Sequence, residues 1–232
     1  MEVIILAGGL GTRLRSVVKD VPKCMAPVAG KPFLWYLLRY LTRFDVNRVI
    51  LSVGYLREVI FEWIDEVRDT FPFEFDYAVE EEPLGTGGGI KLALGKAESD
   101  NIVILNGDTF FDVDLNQLML QHRDSKAEVT LALKPMKDFD RYGQVLTVGD
   151  YISQFIEKKQ CDEGDINGGV YVIRRATKLM DDLPRKFSFE KEVLEKNTGS
   201  RILAGFRHKG YFIDIGIPED YSRAETELPQ LI

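Results

Sequence analysis

Directly behind a short apolar run, Val3 to Ala7, the chain carries Gly8-Gly9-Leu10-Gly11-Thr12-Arg13-Leu14-Arg15. Glycines in such a place let the backbone approach a phosphate closely and turn its N–H groups inward as an anion nest. An irregular segment follows, with Lys19, Lys23 and Lys31 added to Arg13 and Arg15. Backbone donors and cations together suit a triphosphate. Two other glycine-rich patterns fit poorly. The dinucleotide fingerprint needs a third glycine where Leu14 stands, and an acid at the end of the second strand, which runs instead to Gly54. The Walker pattern needs a Gly-Lys-Ser/Thr that does not follow.

A second glycine-rich stretch, Glu80-Glu81-Glu82-Pro83-Leu84-Gly85-Thr86-Gly87-Gly88-Gly89, stands at the end of another strand and opens a helix. That is where open α/β sheets bind ligands. Asn106-Gly107-Asp108 ends the buried run Asn101 to Leu105. An acid there is costly unless it is paired or meets a cation, and beside a triphosphate it is the hard oxygen ligand that Mg²⁺ takes. Cys24 follows Lys23, and the passive reading of that thiol outweighs a reactive one.

At this point GGLGTRL followed by PKCMAPVAGKP resembles the signature of the sugar-1-phosphate nucleotidyltransferases. The resemblance implies that Arg13 contacts the departing pyrophosphate and that Lys23 holds phosphate in the transition state. It implies nucleotide contacts from Leu6, Ala7, Gly8, Gly9, Gly11, Thr12, Arg13, Glu80, Leu84, Gly85, Thr86, Asn106 and Gly107, with the base read largely by main-chain groups around Leu84, Gly85 and Thr86. Mg²⁺ is expected on Asp108 and on Asp214, the latter in Tyr211-Phe212-Ile213-Asp214-Ile215-Gly216. The sugar phosphate is expected on Tyr142, Gly143, the pair Glu157 and Lys158, and the turn Asn167-Gly168. The wider likeness of LNGDTFFDVDL, DFDRYG, INGGVY, KFSFEKEVL and YFIDIGIPEDY implies family members of bacterial surface-glycan synthesis that use GTP. Their acceptor is a manno-configured sugar 1-phosphate, a heptose first and mannose second. The surroundings of Arg141, Tyr142, Phe187 to Glu190 and Tyr211 are where the heptose's extra carbon is expected.

The elements that must position these residues show in the hydrophobic pattern. Buried runs at Val3 to Ala7, Arg48 to Val53 and Asn101 to Leu105, with an alternating one at Phe73 to Val79, read as strands. Pro32 to Phe44, Leu56 to Thr70 and Ile90 to Lys96 read as helices. The predicted fold is α/β, a Rossmann-like three-layer sandwich with a mostly parallel central mixed sheet, as the resemblance also implies. After Ala127 the strands shorten and helices thin out, predicting a smaller sugar-binding lobe of mixed or antiparallel sheet laid against the first. The expected organisation is one domain: a nucleotide lobe over about 1–125, a sugar lobe over about 126–210 and a C-terminal strand and helix beyond.

Composition narrows the classes. A net charge of −7 argues against general nucleic-acid binding but not against a nucleotide. No apolar run reaches the roughly 18 residues of a membrane span, and the N-terminal segment lacks a signal-peptide pattern. Two cysteines suit a reducing cytoplasm. His122 and His208 lie outside every motif and read as surface residues. A nicotinamide-dependent oxidoreductase and a silent nucleotide-sugar sensor are the competing classes; retention of Arg13, Lys23, Asp108 and Asp214 speaks against the second. Oligomeric state is open, a homo-oligomer being compatible.

Overall fold

The computed structural model describes residues 1–9 and 21–232; Leu10 to Asp20, including Gly11, Thr12 and Arg13, lie outside the described residues. In chain order come β1 (Glu2–Leu6), a hairpin of β2 (Pro27–Val28) and β3 (Lys31–Pro32), α1 (Phe33–Leu41) and β4 (Arg48–Val53). Then follow α2 (Arg57–Val67), β5 (Glu74–Val79), α3 (Gly85–Leu94), β6 (Asn101–Asn106), β7 (Thr109–Phe111) and α4 (Leu115–Ser125). The second half holds β8 (Val129–Phe139), β9 (Gln144–Val148), β10 (Tyr151–Ile156), β11 (Cys161–Arg174), β12 (Leu203–Arg207), β13 (Phe212–Asp214) and α5 (Pro218–Glu227).

Nine strands form one sheet in the order β5-β4-β1-β6-β11-β8-β12-β10-β9. The first four run parallel, and β11 enters antiparallel to β6. Alternate residues of the parallel strands face opposite layers, as strand geometry requires. Val3, Ile5, Val49, Leu51, Val103 and Leu105 pack with α1, α2, α4 and α5, whereas Ile4, Ile50, Ile102 and Ile104 pack with α3 and the turn around Phe189 to Leu194. Strands buried on both faces therefore read as unbroken apolar runs.

The expected separate sheet of a second lobe does not exist among the described residues. The 14-residue strand β11 pairs with β6 through Val170 to Arg174, with β8 along its length and with β9 at Asp165 and Ile166. It thereby carries a single sheet from one half of the chain into the other.

His122 corrects another expectation, because it is 1% exposed. It sits on α4 and bonds Thr130 of β8 through Nδ1 (2.8 Å) and Asn101 of β6 through Nε2 (3.1 Å), fastening the helix to the sheet. Burial first, then the charges of Arg174 and Arg123, pushes its pKa down to about 4. The unfolded chain, with histidine near 6.5, binds that proton while the folded chain does not. Stability should therefore be full above about pH 6.5 and decline as the pH falls toward 4, by at most about 3 kcal/mol. Urea midpoints between pH 7.5 and 4.5 check this; His122→Gln should flatten the slope. His208 is half-buried and stacks on Phe206 at 5.9 Å.

Candidate active site

The carboxyl ends of β1 and β6 face the same cavity, at the point where the strand order reverses and α/β sheets open a crevice. Its volume is about 500 Å³. Leu6, Ala7, Gly8 and Gly9 enter it from the end of β1, Asn106, Gly107 and Asp108 from the end of β6, Glu80 from the loop after β5, and Gly85 and Thr86 from the start of α3. Lys23 reaches it from the turn Lys23–Met25. Every expected nucleotide contact among the described residues thus lines one cavity, except Leu84.

Gly107 allows β6 to close on β1. Its N–H donates to the Leu6 carbonyl at 3.1 Å, and any Cβ there would collide with that oxygen.

The base loop is held by its surroundings. The Glu80 carboxylate accepts from Ser52 Oγ (3.1 Å) and Leu84 N (3.0 Å). The Leu84 carbonyl accepts from Phe187 N (3.0 Å), and Gly87 N donates to the Phe187 carbonyl (3.1 Å). Thr86 Oγ1 donates to Glu190 Oε2 at 2.7 Å and accepts from Phe189 N at 2.9 Å. Leu84, 3% exposed, therefore lies in the wall with both main-chain groups engaged, while Gly85 and Thr86 line the cavity. Gly85 takes φ +73°, and a Cβ there would stand 2.6 Å from the Phe187 carbonyl. A side chain would strain the backbone and strike a main-chain atom together. Gly85→Ala should accordingly raise the KM for nucleotide at least tenfold, with a smaller change in KM for the acceptor; steady-state kinetics with each substrate varied check it.

Phe187 to Glu190 packs against Leu84 to Gly87 through these bonds, and Lys186 beside it lines the cavity. Sequence reading missed Lys186, Pro83, Gly89 and Gly216 as lining residues. Only the basic Arg185-Lys186 step ahead of an aromatic run could have drawn attention to Lys186.

Asp108 and Asp214 meet because β7 pairs antiparallel with β13, with Thr109 opposite Asp214, and because Ile215 N donates to the Asp108 carbonyl at 3.0 Å. Both carboxylates converge on one ammonium: Lys23 Nζ lies 2.6 Å from Asp108 Oδ2 and 3.5 Å from Asp214 Oδ1. Two negative charges thus share one positive. Burial, and next the charge of Asp108, raises the pKa of Asp214 above the ordinary carboxylate value. A hard-oxygen pair of carboxylates fits a Mg²⁺ ion, which is held by one or two carboxylates plus substrate phosphates. No cluster of three or more His, Cys, Asp or Glu side chains that could hold a metal ion occurs among the described residues. Cys24 is buried, its thiol pushed up to about 12 chiefly by burial and then by Asp108, and it is passive.

The expected sugar-phosphate residues gather nearby through strand register. Gln144 stands opposite both Ile156 and Ile166, so Gly143 before β9 and Glu157 after β10 come beside Asn167 in the middle of β11. A Cβ on Gly143 would lie 2.8 Å from the Ile156 carbonyl. Glu157 and Lys158 are exposed, with no ion pair to the described residues. Asn167 Nδ2 donates to the Tyr171 hydroxyl at 3.0 Å, which Asn106 of the cavity also bonds, so the two halves adjoin. Tyr142 packs edge-on against Phe212 at 5.8 Å. Burial, then the charge of Asp214, pushes its hydroxyl up to about 12.

A glycine-lined cavity at the strand ends, with two carboxylates on one ammonium at its edge, is the arrangement of an α/β enzyme site. The chain belongs to the nucleotidyl transferase family, whose model matches residues 2–230. It is 49% identical, over the whole of both chains, to the D-glycero-α-D-manno-heptose 1-phosphate guanylyltransferase of Aneurinibacillus thermoaerophilus. To the enzyme of that name from Campylobacter jejuni it is 45% identical, across 95% of this chain and 97% of the relative. Its fold matches the crystal structure of HddC from Yersinia pseudotuberculosis complexed with GMP-PN, with a TM-score of 0.85, 39% identity and 97% of each chain covered. The chain is a nucleotidyltransferase, and enzymes of its family are generally metal-dependent. Among the described residues no helix is long and apolar enough to cross a membrane.

Proposed function

We propose that this enzyme transfers GMP from GTP to D-glycero-α-D-manno-heptose 1-phosphate, releasing pyrophosphate. The observation that carries the reaction type is the convergence of Asp108 and Asp214 on Lys23 at the edge of a glycine-lined cavity. The choice of base and sugar is supported by the names of the full-length relatives and by the GMP-PN complex of HddC.

No protein nucleophile is needed, because the acceptor phosphate is already anionic. One of its oxygens forms a bond to the α-phosphorus in line with the bond to the bridging oxygen of the β-phosphate, which breaks and leaves with pyrophosphate. Catalysis is then positioning and charge neutralisation. The nucleotide half is the cavity, with backbone from Gly8 and Gly9 toward the phosphates, Gly85 and Thr86 toward guanine, and Gly107 closing the wall between β1 and β6. Lys23, Arg13 and Lys186 offset phosphate charge. Tyr142, Gly143, Glu157, Lys158, Asn167 and Gly168 form the acceptor half, within the sugar lobe of a single domain. Asp108 and Asp214 would hold Mg²⁺, which supplies charge stabilisation of the phosphates when bound.

The test is a pyrophosphate-release assay that crosses GTP, UTP, dTTP, CTP and ATP with heptose, mannose and glucose 1-phosphates. Fastest release with GTP and the heptose is expected. Preference for mannose 1-phosphate would overturn the sugar, and preference for another triphosphate the base.

A further inference from the structure

Asp220 is 6% exposed, a carboxylate in the first turn of α5 with no direct place in the site so far described. It accepts from two arginines: Arg141 Nη2 at 2.5 Å and Arg223 Nη1 at 3.1 Å. Arg141 immediately precedes Tyr142 and Gly143, and its guanidinium also reaches the Tyr142 hydroxyl at 3.4 Å. Arg223 continues to Glu227, whose Oε2 accepts from the Tyr211 hydroxyl at 2.6 Å. Tyr211 adjoins β13, and Tyr142 returns to that same strand through its edge contact with Phe212. The contacts therefore close a ring that begins and ends two or three residues from Asp214.

We propose that Asp220 is a positioning residue which, through Arg141, holds Tyr142 and Gly143 in register with the strand carrying Asp214, and so shapes the acceptor half of the site. The inference rests on the nucleotidyltransferase reading above. Its physical basis is direction. A buried carboxylate is expensive to desolvate, and an apolar contact would fasten α5 at less cost. What charge-assisted hydrogen bonds add is a defined orientation of the guanidinium, here transmitted to the adjacent Tyr142-Gly143 backbone. None of these contacts involves Glu80 to Thr86, so the KM for nucleotide should change far less than the KM for the acceptor.

Initial rates of pyrophosphate release, with GTP and sugar 1-phosphate varied separately, test the idea. Arg141→Met leaves Asp220 paired with Arg223, so the fold should survive; Asp220→Asn is the second variant. Both should raise the KM for sugar 1-phosphate at least tenfold while the KM for GTP stays within twofold, and Arg141→Lys should recover most of the loss. Unchanged acceptor KM in both folded variants overturns the proposal. So does an equal loss for both substrates together with a lowered Tm, which would mark the pair as structural only. Absence of pyrophosphate release by the unmodified enzyme with every nucleotide and sugar 1-phosphate would instead remove the parent reading, and this one with it.

Discussion

Asp108→Asn brings pyrophosphate release in magnesium to background while the fold and its thermal stability are kept. The expectation follows from the charge count around Lys23. Among the described residues Lys23 is the cation in ion-pair contact with both Asp108 and Asp214; the asparagine variant removes one of the two negative charges. The affinity for a divalent ion falls with that charge, and with it several kcal/mol of phosphate stabilisation, so a loss of about 10³-fold or more is expected. Stability should move the other way or not at all. Asp108 is 39% exposed at the side chain, and its charge is the second cause that raises the pKa of Asp214. Removing it relieves repulsion and leaves Lys23 paired with Asp214. Parallel measurement of turnover and Tm therefore separates a metal-ligand role from a structural one. Near-normal turnover in magnesium would sink the assignment.

Lys23→Ala should lower kcat/KM about 10²–10³-fold, the scale on which a preorganised charge contact contributes. Here stability falls as well. The Lys23 side chain is 12% exposed and is the cation that both carboxylates face. Without it Asp108 and Asp214 repel each other, with Asp214 partly buried, at a cost of roughly 1–3 kcal/mol. A divalent cation is the natural replacement, so added Mg²⁺ should raise the Tm of the variant more than that of the unmodified enzyme. Equal magnesium shifts in the two proteins would show that the carboxylates do not hold the ion together. Wild-type rates would make the turn at Lys23 structural.

Much of the nucleotide half was legible because its signals are local. Gly8-Gly9, Glu80 to Thr86 and Asn106 to Asp108 each follow an apolar run of strand length, and parallel strands deliver their carboxyl ends to one edge. Residues read separately along the chain therefore had to meet. The helix Phe33–Leu41 was legible from Pro32 and its broad apolar face, although it stops at Leu41 rather than Phe44, where the chain turns into Arg48 to Val53.

Other features depend on partners far away in the chain. Nothing local distinguishes Phe187 to Glu190 as a brace for the base loop, since its bonds to Leu84, Thr86 and Gly87 join segments about a hundred residues apart. His122 looks like any polar residue near the end of an amphipathic helix; the hydroxyl and amide that make its burial tolerable come from β8 and β6. The single sheet follows from the register of β11 against β6, β8 and β9, which alternation alone does not specify.

The sequence by itself determined the groups available to this protein's chemistry: two glycine-rich stretches behind strands, a strand-end aspartate and a cation-bearing turn. Those properties reside in residue types and in the few positions around them. The tertiary structure alone decided that Asp108 and Asp214 share Lys23, that Asn106 adjoins Asn167 through Tyr171, and that α5 ties Arg141 to the same strand. Charge pairing and close packing act through distances in space, and pairing β7 with β13 and threading β11 through the sheet set those distances.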